Sequence, residues 1–63
     1  MKKATVVKLM KAQGYTQASL GEKLGVSGMM VGHWLCGRKS ISLARARQIA
    51  HILGAKLPDI VKD

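Results

Sequence analysis

The sequence predicts an all-α protein of four helices followed by one short terminal turn. Apolar residues recur at helical spacing, glycines stand where these stretches end, and no alternating pattern is long enough for a β-strand. The 63 residues are expected to form one domain, residues 1–63. A domain of this size buries only about 60% of the surface that its unfolded form exposes, so a thin stability margin is expected.

The first two helices are predicted over residues 4–13 and about 17–24. In the first, apolar residues are interspersed with lysines as in an amphipathic helix, and Gly14 is expected to end it. Thr16 precedes the second helix at the position of an N-cap, and Gly25 follows it as the C-terminal stop.

The third helix is predicted to begin after its cap, Ser27, to reach about Cys36 and to end at Gly37. The spacing i, i+3, i+4 predicts its buried side, which comprises Val31, Trp34 and Leu35.

The fourth helix is predicted to start near its cap, Ser42, and to end at Gly54. Its predicted apolar stripe is Leu43, Ala46, Ala50 and Leu53, with Ile49 and Ile52 alongside. Residues 57–61 are expected to form a single turn with Pro58 at its first position, where a missing N–H costs nothing.

The charge of the chain indicates a polyanionic partner. Eleven Lys and Arg residues against three acids give a net charge of +8, which favours nucleic acid first and an anionic membrane second. The apolar runs are too short to span a bilayer, and Lys8 and Lys11 interrupt any signal-peptide core. The single cysteine, Cys36, forms no intrachain disulfide and suits a reducing cytoplasm, the expected location.

Enzyme and metal chemistry are not expected. Cys36, His33 and His51 are the soft ligands, and their spacing does not resemble a zinc site. No nucleophile with a base, carboxylate pair or phosphate loop is recognisable, so no cofactor and no small-molecule ligand are expected. Cys36 itself is expected to be a partly buried small residue.

Residues 17–36 together meet the requirements of a helix-turn-helix. Gly21 places a small residue in the middle of the first helix, where side chains of the second are expected to pack on it. Gly25 supplies the positive φ that the turn requires. The apolar residues expected to hold the two helices together are Leu20, Leu24, Val26, Val31 and Trp34. Such a unit lays its second helix in the major groove of DNA.

The chain resembles the lambda-repressor-like domains of phage repressors, Cro proteins and related bacterial regulators over about residues 15–57. The residues that carry the resemblance are Thr16-Gln17, Leu24-Gly25-Val26-Ser27, Trp34 with Gly37, and Ile49-Ala50-His51-Ile52-Leu53-Gly54. The length looks most like a phage Cro protein or an antitoxin-type regulator. The resemblance implies a compact domain of four to five helices that binds operator double-stranded DNA as a homodimer and represses transcription.

The resemblance also implies roles for individual positions. The residues implied to face the major groove are Ser27, Gly28, Met29, Gly32 and His33. The residues implied to contact the DNA backbone are Thr16 and Gln17 on one side, and Arg38, Lys39 and Ser40 on the other. The implied dimer interface lies in the C-terminal segment and includes Leu57, Pro58, Ile60 and Val61.

Two features depart from the family pattern. Related domains commonly carry amide or basic side chains on the groove-facing side, whereas here only Ser27 and His33 can hydrogen-bond to bases. Some readout of DNA shape or through water is therefore expected, and low selectivity offset by dimerisation is equally consistent. Many relatives also pair an arginine in helix one with an acid in helix three. The matching positions here are Met10 and Leu35, which suggests that packing replaces a buried ion pair.

Several interpretations stay open on sequence alone. The C-terminal end could hold a toxin partner, and the first helix could act on membranes as a cationic peptide. Lys2 and Lys3 fit a DNA-embracing arm or a disordered terminus. The remaining single-residue expectations are Met30 in the core, Met29 in the groove, His51 packed or half-exposed, and Arg45 and Arg47 as solubilising residues or a phosphate contact.

Overall fold

The computed structural model describes residues 1–61. It contains the α-helices α1 (Lys3–Ala12), α2 (Gln17–Leu24), α3 (Gly28–Cys36), α4 (Leu43–Leu53) and α5 (Leu57–Ile60). No β-strand occurs in this part of the chain, so the all-α prediction is confirmed. The predicted helix boundaries agree with the observed ones to about one residue, and the predicted terminal turn is α5.

Hydroxyl caps start three of these helices. The side-chain oxygens of Thr16, Ser27 and Ser42 each accept a hydrogen bond from the backbone N–H three residues later, at 3.0–3.2 Å. At the start of α2 the bond is reciprocal, because the N–H of Thr16 donates to the Ser19 hydroxyl at 2.9 Å. All three predicted caps are confirmed, and each is worth about 1 kcal/mol to its helix.

The core draws on all five helices. Its buried residues are Val6, Met10, Leu20, Leu24, Val31, Trp34, Leu35, Ala46, Ile49, Ala50, Leu53 and Ile60. Met10 and Leu35 are 4% and 5% exposed and belong to the same cluster, as expected if packing takes the place of an ion pair. Within residues 1–61 no polar or charged residue is buried.

The predicted stripe of α4 was wrong at its first residue. Leu43 is 55% exposed, whereas Ile49, which was expected beside the stripe, is fully buried. The observed stripe therefore runs through Ala46, Ile49, Ala50 and Leu53, at i, i+3, i+4 and i+7, and Leu43 lies outside it.

The first residues of the chain lie against α5. The backbone N–H of Lys2 donates to the carbonyl of Ile60 at 2.8 Å, and Lys3 begins α1, so neither lysine forms a free arm. Ile60 is fully buried, which packs α5 against the rest of the core. Pro58 is the second residue of α5 rather than the first, a position where proline is equally tolerated because the first turn has no N–H acceptor.

Two side chains satisfy backbone carbonyls at helix C-termini, where the helix itself provides no donor. Gln13 Nε2 donates to the Leu53 carbonyl at 2.6 Å. Arg45 Nη1 donates to the Leu24 carbonyl at 2.6 Å and to Gln48 Oε1 at 3.1 Å. The expectation that Arg45 only solubilises α4 was wrong, since this half-buried side chain links α4 to α2. A phosphate contact from Arg45 or Arg47 stays a prediction.

Candidate nucleic-acid interface

The helix-turn-helix depends on a left-handed residue between α2 and α3. Gly25 has φ 74°, and its N–H donates to the Glu22 carbonyl at 3.3 Å. The next N–H, that of Val26, donates to the Gly21 carbonyl at 2.9 Å. The turn is thus tied back to α2 twice, and the predicted role of Gly25 is confirmed.

Glycines also set how closely α2 and α3 approach. A Cβ at Gly21 would lie 2.7 Å from the Val26 carbonyl oxygen and 2.9 Å from that of Ser27. A Cβ at Gly28 would lie 2.9 Å from Ala18 Cα. These neighbours are backbone atoms that no rotamer change can move, so both positions need glycine. Gly21 is confirmed as the small residue, but the turn backbone packs on it rather than side chains of α3.

Gly32 has a different neighbour. A Cβ there would lie 2.8 Å from Gln17 Oε1, the far end of a flexible side chain. Gly28 and Gly32, one turn apart on α3, therefore lie against the start of α2. In the structure, these glycines allow α2 to approach α3 closely. A close approach of the α3 backbone to DNA bases at either glycine stays a prediction.

The exposed side of α3 carries three side chains. Met29 is 71% exposed, His33 is half-buried and Cys36 is exposed, and their spacing of four and three residues puts them on one face. The expectation of a partly buried Cys36 was wrong, because the last residue of α3 points away from the core. Met30 packs against the core, as predicted.

Ser27 begins this face. Its hydroxyl oxygen accepts the Met30 N–H at 3.2 Å, which leaves the hydroxyl proton available to a further acceptor. The hydrogen-bonding groups near the exposed side of α3 are thus the Ser27 hydroxyl and the His33 imidazole, together with the Gln17 amide that lies over Gly32.

A helix N-terminus lies beside this face. Thr16 and Gln17 are exposed at the start of α2, and the first N–H groups of a helix have no acceptor within it. With the positive end of the helix dipole, they form a favourable position for a phosphate.

A basic loop follows α3. The N–H groups of Arg38 and Lys39 both donate to the His33 carbonyl, at 2.9 and 3.4 Å, so the loop backbone is fixed to the last turn of α3. Gly37 allows this return with φ 78°. The loop residues Arg38, Lys39 and Ser40 are all exposed and add two positive charges beside the helix.

The predicted dimer residues differ in exposure. Pro58 is exposed, and Leu57 and Val61 are half-buried. Ile60 is fully buried in the core of its own chain and therefore has no side-chain surface to offer a second copy.

In the described part of the chain no three His, Cys, Asp or Glu residues are grouped so as to hold a metal ion. None of the helices found there is long and apolar enough to cross a membrane.

The geometry of α2, the turn and α3 defines a helix-turn-helix protein. A helix-turn-helix family model matches residues 6–60, a stretch that contains nearly all of the described helices. The chain belongs to the lambda-repressor-like helix-turn-helix family, whose members are DNA-binding regulators. No curated protein and no solved structure matches it.

The contact between Gln17 and α3 was not foreseen from the sequence. The two residues involved, Gln17 and Gly32, are fifteen positions apart in the chain, and no periodic pattern links them. The one signal that could have pointed to it is a glycine in the middle of a helix, where glycine costs about 1 kcal/mol relative to alanine and therefore needs a reason.

Proposed function

We propose that this protein is a sequence-specific transcriptional repressor of the Cro type, which binds operator DNA as a dimer with α3 in the major groove. The observation that carries the proposal is the exposed face of α3, which lies between a helix N-terminus and a basic loop. An α-helix is about 10–12 Å across with its side chains, which matches the major groove of about 12 Å, and the nine residues of α3 extend about 14 Å along it.

The start of α2 and the basic loop after α3 supply binding affinity and fix the position of the protein on the DNA. The N-terminus of α2, at Thr16 and Gln17, binds one phosphate, and Arg38, Lys39 and Ser40 bind phosphates on the other side of the groove. Because these contacts release counterions, the binding constant falls steeply as salt increases.

The exposed face of α3 supplies the sequence preference. Met29 lies against thymine methyl groups, and Ser27 and His33 hydrogen-bond to base edges or to bridging water. So few polar groups give one copy a weak preference, which a second copy on an adjacent half-site strengthens. Leu57, Pro58 and Val61 are the exposed or half-exposed part of the proposed dimer interface. The bound dimer represses by excluding polymerase from the operator.

Selection of binding sites from random DNA tests this proposal. The expected product is a palindrome whose half-sites are separated by one helical turn, about 10 base pairs. Equal binding to all sequences, with no footprint at any site, would overturn sequence-specific repression. Recovery of a single half-site with no symmetric partner would overturn the proposal that the protein binds as a dimer.

A further inference from the structure

A second basic surface lies away from the candidate nucleic-acid interface. It is a shallow groove between the C-terminal end of α2 and the second half of α4, with a volume of about 310 Å³. The groove is lined by Lys23, Leu24, Arg47, Gln48, His51 and Ile52. None of these residues belongs to α3 or to the basic loop, and only Arg47 among them is a candidate phosphate contact. Lys23 lies near the end of α2 opposite to Thr16.

The groove combines an apolar floor with a basic rim. Ile52 is half-buried and Leu24 is 7% exposed, so the apolar floor consists mainly of Ile52 with the edge of Leu24. Lys23, Arg47 and His51 are all exposed around it. The lining contains no carboxylate, so its cations are not neutralised from within the groove.

The groove is formed before any partner arrives. Arg45 Nη1 donates to the carbonyl of Leu24 and to the side chain of Gln48, and both of those residues line the groove. This bond network fixes the end of α2 to α4. A groove held in this way loses little conformational entropy when it is filled.

We propose that this groove binds an acidic segment of a partner protein, whose apolar side chain packs on Leu24 and Ile52 while its carboxylates face Lys23 and Arg47. The charge of the rim selects the partner. A second copy placed symmetrically would bring the same cations face to face, which is unfavourable. A DNA backbone would satisfy the cations but has no aliphatic side chain to insert onto the floor.

The proposal gives the protein two independent faces. DNA on α3 and an acidic segment between α2 and α4 can be bound at the same time, because the two surfaces share no residue. The inference therefore does not depend on whether the DNA site is an operator.

The test uses a short fluorescently labelled peptide in which glutamates flank a central leucine, titrated into the full chain. Binding is followed by anisotropy and by amide shifts in NMR. The groove variant is Lys23→Glu with Arg47→Glu. The matched control, Lys8→Glu with Lys11→Glu, changes the net charge equally at two exposed lysines of α1.

The expected result is that amide shifts cluster at the groove and that the groove variant binds about tenfold more weakly than the control variant. Circular dichroism checks that both variants are folded. Equal weakening in the two variants, undiminished binding of a peptide with serine for the leucine, or displacement of the peptide by duplex DNA would each overturn the proposal. The last result would assign the groove to nucleic acid.

Discussion

Replacing Gly32 or Gly28 by alanine distinguishes a glycine that faces a movable side chain from one that faces fixed backbone. At Gly32 the added Cβ meets only the Gln17 side chain, 2.8 Å away, whereas at Gly28 it meets the Ala18 backbone at 2.9 Å. Neither glycine has a positive φ, so alanine is not strained at either position. The two substitutions therefore differ mainly in what must move, and the gain in helix propensity is largest at Gly32, inside α3.

The magnitudes follow from these contacts. Alanine is about 1 kcal/mol more favourable than glycine inside a helix. At Gly32 the side chain of Gln17 rotates away for about 0.5–1 kcal/mol, so the free energy of unfolding stays equal or rises by up to about 1 kcal/mol. At Gly28 the backbones of α2 and α3 must separate, which costs about 1–3 kcal/mol and exceeds the gain.

Thermal unfolding followed by circular dichroism measures the difference. For a domain of this size, about 1 kcal/mol corresponds to a shift in Tm of about 4–8 °C. Gly32→Ala is expected to keep or raise the Tm and to change DNA affinity through the displaced amide of Gln17, while Gly28→Ala lowers the Tm. If Gly32→Ala lowered the Tm as much as Gly28→Ala, the assignment of a movable neighbour at Gly32 would be refuted.

Three further outcomes are expected. Leu35→Glu buries an unpaired charge and lowers the free energy of unfolding by at least about 3 kcal/mol in urea titrations, and a neutral result would mean that Leu35 is exposed. Arg45→Met removes the bond to α2 and costs about 1–2 kcal/mol, whereas Arg47→Met, at an exposed position, changes stability by less than about 0.5 kcal/mol. In DNA-binding titrations, Arg38→Ala weakens binding to all sequences alike and reduces the salt slope by about one. His33→Ala weakens binding only to the preferred site, by about 1–3 kcal/mol. The reverse pattern would exchange the roles of the two residues.

The helices and the helix-turn-helix followed from the sequence because their causes are local. A capping hydroxyl acts on an N–H three residues away, and a glycine stop acts within its own turn, so Thr16, Ser27 and Gly25 could be recognised without the fold. Apolar spacing likewise placed Val31 and Trp34 in the core.

Contacts between elements were decided only by the tertiary structure. The bond from Arg45 to the Leu24 carbonyl joins residues 21 positions apart, and the bond from Gln13 to Leu53 joins residues 40 apart. Nothing in the spacing of either pair indicates that the chain brings them together. The exposure of Leu43 is decided in the same way, because periodicity tells which residues share a helix face and not whether another element covers it.

Some features of the candidate DNA face were likewise determined by the sequence, and others only by the tertiary structure. The sequence by itself determined the helix-turn-helix and the shortage of base-reading groups on its second helix, since both follow from residue types at short range. Only the tertiary structure decided that Gly28 and Gly32 pack beneath α2 and that the amide of Gln17 lies over α3. The physical reason is that the packing of two helices depends on how closely their backbones approach, which no pattern along one helix records.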